Sequence, residues 1–240
     1  MIRRVKIIFL EIIFIVFVSA YAISANNKKG TVILLHGIMN KSFMMNRIEK
    51  GLVKEGYKVV NWGYPSYQNT IEEHAKSLNN VVRKIKNNES INFVGFSLGC
   101  IIIRYYLTHY KVPKAKRFVM IAPPNHGSEQ ADYQYNWGRF ILGEKSFKQL
   151  RAKNREYYCN MGIPSCEIGI IAGGKGNSKG YSKILPGDDD GAVSLESAKL
   201  DGIKDFIQLK HEHTELILRK DTVDNVVSFM ETGFFIKKEK

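Results

Sequence analysis

Residues 91–100 read INFVGFSLGC, an apolar run interrupted by a serine that has a glycine two positions away on either side. The residues before Ser97 are typical of a buried strand, and the apolar residues after it predict a helix. Gly95 and Gly99 permit a sharp turn between the two, because a Cβ at either position would crowd the neighbouring strand and helix. A serine at such a corner can be offered to a base, so Ser97 is a candidate nucleophile.

Strand and helix patterns alternate on both sides of this corner. Further strands are predicted at 31–35, 57–60, 117–121, 168–172 and 205–209. Apolar residues at helical spacing predict helices between them, most clearly from Ile71 to Ile85. Buried strands that alternate with helices indicate an α/β fold: an open, mostly parallel sheet with helices on both faces.

Residues 129–160 depart from this alternation, because the segment is aromatic and polar. It predicts an irregular helical insertion over the carboxyl edge of the sheet. The insertion is either a lid or a set of ordinary packing helices.

The first 22 residues have a basic start, an apolar run and a small-residue site that ends at Ala22. This pattern predicts a signal peptide at residues 1–22 and a single domain over residues 23–240, in a protein that is exported to the periplasm or secreted. An uncleaved membrane anchor is the alternative.

The chain carries a formal net charge of +13, with 36 Lys and Arg against 23 Asp and Glu. Such a charge favours anionic surfaces, either lipid headgroups or nucleic acid. The basic residues are scattered singly and form no stripe, so a solvated surface explains most of them. We expect no nucleic-acid partner, and a membrane-surface association stays open.

Polar residues follow four of the predicted strands, where functional groups gather in a parallel sheet. They are Ser97, the turn His36-Gly37-Ile38, Asp190 and His213. The chain order Ser, Asp, His is that of the α/β-hydrolases. Asp188 and Asp189 compete with Asp190, and His211 competes with His213.

Five motifs together resemble bacterial lipases and esterases of the α/β-hydrolase fold: His36-Gly37-Ile38, residues 95–99, residues 123–128, Asp190-Gly191-Ala192-Val193 and His213-Thr214. The resemblance covers most of residues 31–230. It implies a carboxylic ester hydrolase with Ser97, Asp190 and His213 as catalytic triad. It also implies an oxyanion hole formed by the backbone N–H groups of Ile38 and Leu98.

Two other functions fit the same sequence. An acyltransferase or thioesterase would use the same triad, and it would differ in pocket shape and in acceptor access. A membrane-surface binding module without turnover would keep only the scaffold. An ester or lipid is the expected substrate, and its chain length is open.

Several other polar residues are assigned by their position in the pattern. His36, Asn125 and His126 are candidates for lining the pocket, with a structural loop role as the alternative for His126. His74 and His109 lie on predicted helices, and we expect both at the surface.

The three cysteines give no sign of a metal site. Cys100 follows the corner on an apolar helix and is interpreted as a small buried hydrophobe. Cys159 and Cys166 either close a short disulfide loop in an oxidising compartment or are two unrelated buried thiols. Neither they nor the histidines have zinc-ligand spacing. We expect no metal and no cofactor.

Residues 169–175 nearly match the motif of a phosphate-binding loop. However, Gly176 replaces the required Ser or Thr, and Gly169 lies inside a predicted strand. Nucleotide binding is therefore not predicted.

Overall fold

Six parallel strands form one sheet in the computed structural model, which describes residues 29–86, 89–142 and 144–237. The strands are β1 (Thr31–Leu35), β2 (Lys58–Trp62), β3 (Ile91–Phe96), β4 (Ala115–Ile121), β5 (Glu167–Gly173) and β6 (Asp205–Leu209). Their order across the sheet is β2-β1-β3-β4-β5-β6. The predicted signal peptide at residues 1–22 lies outside the described residues.

Helices fill the connections between the strands. They are α1 (Asn46–Lys54), α2 (Ile71–Val82), α3 (Leu98–His109), α4 (Glu129–Leu142), α5 (Lys145–Gln149), α6 (Arg155–Asn160), α7 (Leu195–Ala198), α8 (His213–Leu216) and α9 (Lys220–Thr232). Two single 3-10 turns, Ser42–Met45 and Ala152–Asn154, precede α1 and α6. Among the described residues, no helix is long and apolar enough to cross a bilayer.

Both faces of the sheet are buried, as the continuous apolar strands predict. On β1, Ile33 and Leu35 point into the core beneath α2 and α3, whereas Val32 and Leu34 point into the core beneath α1 and α9. All four side chains are fully buried. Burial of each such side chain stabilises the fold by about 1.5–3 kcal/mol, so the strand ends are held as a rigid platform.

Helix α2 shows how local sequence fixes a boundary. The hydroxyl of Thr70 accepts a hydrogen bond from the Glu73 N–H at 3.2 Å, and the Glu73 carboxylate accepts one from the Thr70 N–H at 2.9 Å. This reciprocal pair is a capping box, which satisfies N–H groups that have no partner inside the helix.

The strand order reverses direction at β1 and β3. From β1 the chain goes to β2 on one side, and from β3 it goes to β4 on the other. Loops after β1 and β3 therefore diverge and leave a crevice at the carboxyl edge, the usual place for a site in such a sheet. The turn at His36 and the corner at Ser97 both lie there.

The insertion between β4 and β5 is helical, as predicted, and comprises α4, α5 and α6. It is anchored to the loops at the carboxyl edge, because Gln149 Oε1 accepts from the Ile71 N–H at 2.7 Å and Ser128 donates to Leu150 O at 2.8 Å. Phe147 and Tyr158 are buried in the core. Its role as a lid stays a prediction.

Candidate active site

Ser97 occupies a strained corner between β3 and α3. Its φ and ψ are 51° and −120°, a conformation that L residues rarely adopt. Its N–H donates to Ile121 O at 2.9 Å, which ties the corner to the end of β4.

The two flanking glycines make the corner possible. A Cβ on Gly95 would lie 2.6 Å from the Cys100 nitrogen, and one on Gly99 would lie 2.4 Å from Leu35 O. Both distances are far below van der Waals contact with rigid backbone, so only glycine fits. The turn is the strand-turn-helix corner that the sequence predicts.

Backbone strain is concentrated at this edge of the sheet. Among the described residues, the non-glycine residues with positive φ are Met39 at 57°, Ser97 at 51° and Ala122 at 49°. They follow the neighbouring strands β1, β3 and β4 respectively. Strain of this kind persists only where surrounding contacts hold it, and it is common at functional sites.

Asp190 and His213 form a buried pair. His213 Nδ1 lies 2.8 Å from Asp190 Oδ2, and the carboxyl residue is 2% exposed. The His213 N–H also donates to Asp190 O at 2.8 Å, so main chain and side chain join the two loops. Because a carboxylate only accepts, Nδ1 carries the proton and Nε2 presents a lone pair.

The second carboxylate oxygen is held by the loop itself. Asp190 Oδ1 accepts from the N–H groups of Ala192 at 2.9 Å and Val193 at 2.8 Å. These bonds fix the carboxylate plane, so its other oxygen is aimed at the imidazole.

The neighbouring aspartates have other partners. Asp188 accepts from the N–H groups of Lys175 and Gly176, and Asp189 accepts from those of Tyr181 and Ser182. They hold the long loop after β5 in place. Of the three adjacent acids, only Asp190 contacts His213 in the part of the chain that the structure describes.

His211, the competing histidine, belongs to a different pair. Its Nε2 lies 2.9 Å from Asp221 Oδ2 on α9. This contact fastens the loop that carries His213 to the last helix, and it directs His211 away from Asp190.

Ser97 and His213 are neighbours without a hydrogen bond. The Phe96 ring, one residue before Ser97, lies 5.0 Å from the His213 ring between centroids. Within the described ranges, no hydrogen bond joins the Ser97 hydroxyl to the imidazole. In free enzymes such a contact is often long and shortens when substrate binds. Of the three predicted triad residues, Asp190 and His213 are therefore hydrogen-bonded to each other, and Ser97 lies nearby.

The backbone N–H groups of Ile38 and Leu98 are the predicted oxyanion donors. Leu98 is the first residue of α3, where an N–H has no acceptor inside its helix. Over residues 29–86, 89–142 and 144–237, neither N–H donates to a protein acceptor. Both are free to bind an anion, at the ends of adjacent strands.

His36 and Asn125 do not line an open pocket, which corrects the expectation from sequence. His36 is 1% exposed beneath the turn after β1, where its ring stacks on Tyr64 with centroids 4.3 Å apart. Asn125 is fully buried and donates from Nδ2 to Ala198 O at 2.9 Å. Both side chains hold loops. His126 is exposed and borders a surface cavity whose lining includes none of the predicted triad residues.

A buried arginine that the sequence analysis did not single out braces these loops. Arg104 on α3 is 3% exposed, and its guanidinium donates to the carbonyl oxygens of Gly162, Asn125 and Tyr158 at 2.8–3.0 Å. Burial lowers its pKa to about 10. The signal in the sequence was a charged residue inside the apolar run of this helix.

His74 is also buried, which corrects its predicted surface position. It is 1% exposed, and its ring meets the Tyr64 ring edge-on with centroids 4.8 Å apart. Burial lowers its pKa to about 4. His109 is exposed, as expected.

The cysteines are free thiols in the structure. Cys159 is exposed on α6 and Cys166 is half-buried before β5, so the two thiols are separate, but Cys159 is not buried as that alternative predicted. Cys100 is fully buried, as predicted, and lies 3.4 Å from Ile121 O.

The glycine run of residues 169–175 has a packing explanation. Gly169 lies inside β5, as predicted, where a Cβ would sit 2.5 Å from the Phe229 ring. In the described part of the chain, no three His, Cys, Asp or Glu side chains are grouped as metal ligands.

The family model for the α/β hydrolase fold matches residues 30–141, which include Ser97 and end before Asp190. The match, the parallel sheet and the corner at Ser97 agree, and the chain has the α/β-hydrolase fold. No curated protein sequence matches the chain.

Solved structures with a similar fold include lipases and esterases. The mature lipase BlEst2 of Bacillus licheniformis is 20% identical, with a TM-score of 0.69 over 86% of this chain and 92% of that one. An esterase of Pyrococcus furiosus is 18% identical, with a TM-score of 0.60 over 86% and 83% of the two chains. The phospholipase PlaB of Legionella pneumophila is 16% identical, with a TM-score of 0.58 over 70% and 44%. At these identities the likeness shows the fold alone.

Proposed function

We propose that this chain is a serine hydrolase that cleaves carboxylic esters through an acyl-enzyme on Ser97. The observation that carries the proposal is the buried pair of Asp190 and His213, at the sheet edge that also holds the strained serine. Structures of similar fold are described as a lipase and an esterase, which supports the same chemistry.

The roles follow from the hydrogen bonds. As the Ser97 hydroxyl attacks the ester carbonyl, its proton passes to the free Nε2 of His213, and Asp190 stabilises the imidazolium that forms. The N–H groups of Ile38 and Leu98 bind the oxyanion. The imidazolium then protonates the leaving alcohol, and a water molecule, deprotonated by His213, releases the acid from Ser97.

Hydrolysis of p-nitrophenyl esters of two to sixteen carbons tests this function. We expect turnover by the wild type and a loss of about 10³-fold or more for Ser97→Ala, whose fold stays intact. A fluorophosphonate probe should label the wild type and not the variant. Retention of a tenth of the rate by Ser97→Ala would overturn the proposal.

Product analysis in the same experiment identifies the acceptor. Free acid as the product indicates hydrolysis, whereas a new ester in the presence of added alcohol indicates acyl transfer. Faster cleavage of a matched thioester would indicate a thioesterase.

We also propose that the protein works at lipid surfaces, after export directed by its N-terminal sequence. Tyr133, Trp137, Phe140 and Ile141 are all exposed on α4. Their spacing places them on one face of the helix, so the insertion presents an apolar strip to solvent. A strip of this kind marks an interaction surface, and the positive charge of the chain suits anionic headgroups.

Sedimentation with phosphatidylglycerol vesicles tests the lipid-surface proposal. Trp137→Ser should reduce the bound fraction, and Ile163→Ser should leave it unchanged. Ile163 is 46% exposed, against 55% for Trp137, but it lies before β5 at the opposite edge. Equal binding by both variants and the wild type would contradict the proposal.

A further inference from the structure

The turn after β1 contains the peptide unit between Gly37 and Ile38. Its carbonyl, Gly37 O, accepts from His36 Nδ1 at 2.9 Å and from the Asn40 N–H at 3.3 Å. Its N–H is that of Ile38, the predicted oxyanion donor. The described residues contain no cis peptide bond, and the C=O and N–H of a trans peptide point in opposite directions. A contact that fixes the direction of the Gly37 carbonyl therefore also fixes the direction of the Ile38 N–H.

The His36 ring is itself held in one orientation. Tyr64 stacks on it, the Tyr64 N–H donates to Nε2 at 3.4 Å, and the Tyr64 hydroxyl donates to His36 O at 2.6 Å. Because Nε2 accepts and Nδ1 faces a carbonyl, the ring is the neutral tautomer with its proton on Nδ1. Burial lowers the pKa of His36, which keeps this form neutral.

The same peptide is packed against the nucleophile corner. A Cβ on Gly37 would lie 3.1 Å from the ring of Phe96, the residue before Ser97, and also 3.1 Å from Asn40 Nδ2. The peptide can approach β3 this closely because Gly37 has no side chain. His36 thus holds the carbonyl of a peptide that packs against the residue before Ser97.

We propose that His36 is a positioning residue of the oxyanion hole, which aims the Ile38 N–H through the hydrogen bond from its Nδ1 to Gly37 O. This inference rests on the proposed function, because it needs an oxyanion to be stabilised. His36 touches neither substrate nor nucleophile, and it acts through the peptide that it holds.

Two substitutions at this position separate the two hydrogen bonds of the ring. In His36→Asn, the amide nitrogen takes the place of Nδ1, so the bond to Gly37 O is kept and the acceptor for Tyr64 is lost. In His36→Gln, the end of the side chain takes the place of Nε2, so the acceptor is kept and the donor to Gly37 O is lost. His74→Gln is the matched control, because it removes an equally buried imidazole that also packs against the Tyr64 ring.

The measurements are kcat and KM on p-nitrophenyl butyrate, and the inhibition constant of a boronic acid that forms a tetrahedral adduct on the serine. We expect His36→Gln to lower kcat by at least about tenfold and at most about 10³-fold, the upper limit for one lost oxyanion donor, with KM little changed. The boronic acid should bind more weakly in parallel. His36→Asn should recover most of the lost turnover, and His74→Gln should keep the wild-type kcat.

Nuclear magnetic resonance of the wild type provides a readout that is independent of turnover. Long-range correlation of imidazole nitrogens with ring protons should show the His36 proton on Nδ1. A proton on Nε2, equal kcat losses in His36→Asn and His36→Gln, or the same loss in His74→Gln would each overturn the inference. Absence of ester turnover by the wild type itself would instead overturn the proposed function and the inference with it.

Discussion

Asp190→Asn replaces one carboxylate oxygen in the candidate triad with an NH₂ group and leaves the loop intact. The backbone N–H groups of Ala192 and Val193 both donate to Oδ1 of Asp190, at 2.9 and 2.8 Å. In the variant these two donors select the carbonyl oxygen of the amide for that position. The NH₂ group is then turned toward His213 Nδ1, where the wild type has an accepting oxygen.

This exchange reverses the tautomer of the imidazole. Because the amide donates, Nδ1 of His213 must accept, and its proton moves to Nε2. A protonated Nε2 cannot take the proton from Ser97, so we expect kcat to fall about 10⁴-fold, as in serine hydrolases whose triad acid is replaced by its amide. The corresponding rise of the barrier is about 5 kcal/mol. The melting temperature should change little, because the two backbone bonds remain.

Asp221→Asn is the matched control, since it makes the same change in the second pair of a histidine and an aspartate. Asp221 contacts His211 at 2.9 Å and has no contact with His213 among the described residues. We expect its kcat on p-nitrophenyl butyrate to stay within a few-fold of the wild type. An Asp190→Asn enzyme within about tenfold of wild type, or an equal loss in both variants, would refute the assignment of the acid.

Three predictions concern stability. Arg104→Met removes three hydrogen bonds of the guanidinium, two of them to carbonyls of the fully buried residues Asn125 and Tyr158, so the free energy of unfolding in urea should fall by about 3 kcal/mol or more. Arg104→Lys should recover only part of it. A loss below about 1 kcal/mol would contradict the bracing role. Gly99→Ala places a Cβ 2.4 Å from Leu35 O, so it should abolish soluble folded protein, and normal melting would disprove the close approach. Burial lowers the pKa of His74 to about 4, so on acidification the unfolded chain takes up a proton before the folded one. Wild-type stability should therefore fall as the pH drops from about 6.5 to 4, and His74→Gln should flatten this decline in melting temperature; unchanged pH dependence would contradict the lowered pKa.

Much of the fold follows from local patterns. β1 and β6 have the predicted bounds, at residues 31–35 and 205–209. For β1 the reason is its continuous apolar run, which depends only on which residues avoid water. Strand β4 begins at Ala115, two residues before the predicted start, since pairing with β3 extends it beyond the apolar run. The corner at Ser97 is also predictable from local sequence, because Gly95 and Gly99 lie in the turn that they permit.

The burial of His74 could have been predicted from the sequence. His74 lies three residues after Ile71, on the same side of α2 as the apolar stripe. The spacing alone therefore indicates burial, and it outweighs the polarity of the imidazole. Arg104 carried a comparable signal, as a charge among the apolar residues of α3.

The sequence by itself determined the order of strands and helices, the strained serine and the edge of the sheet at which polar residues gather. These features depend on contacts between residues close in the chain, or on the rule that parallel strands present their carboxyl ends together. Only the tertiary structure decided which of three adjacent aspartates meets a histidine, which of two histidines it meets, and that His36 lies beneath its turn. Those choices depend on how the long loop after β5 folds back onto the loop after β6. The contact joins residues 23 positions apart in the chain, and no local pattern specifies it.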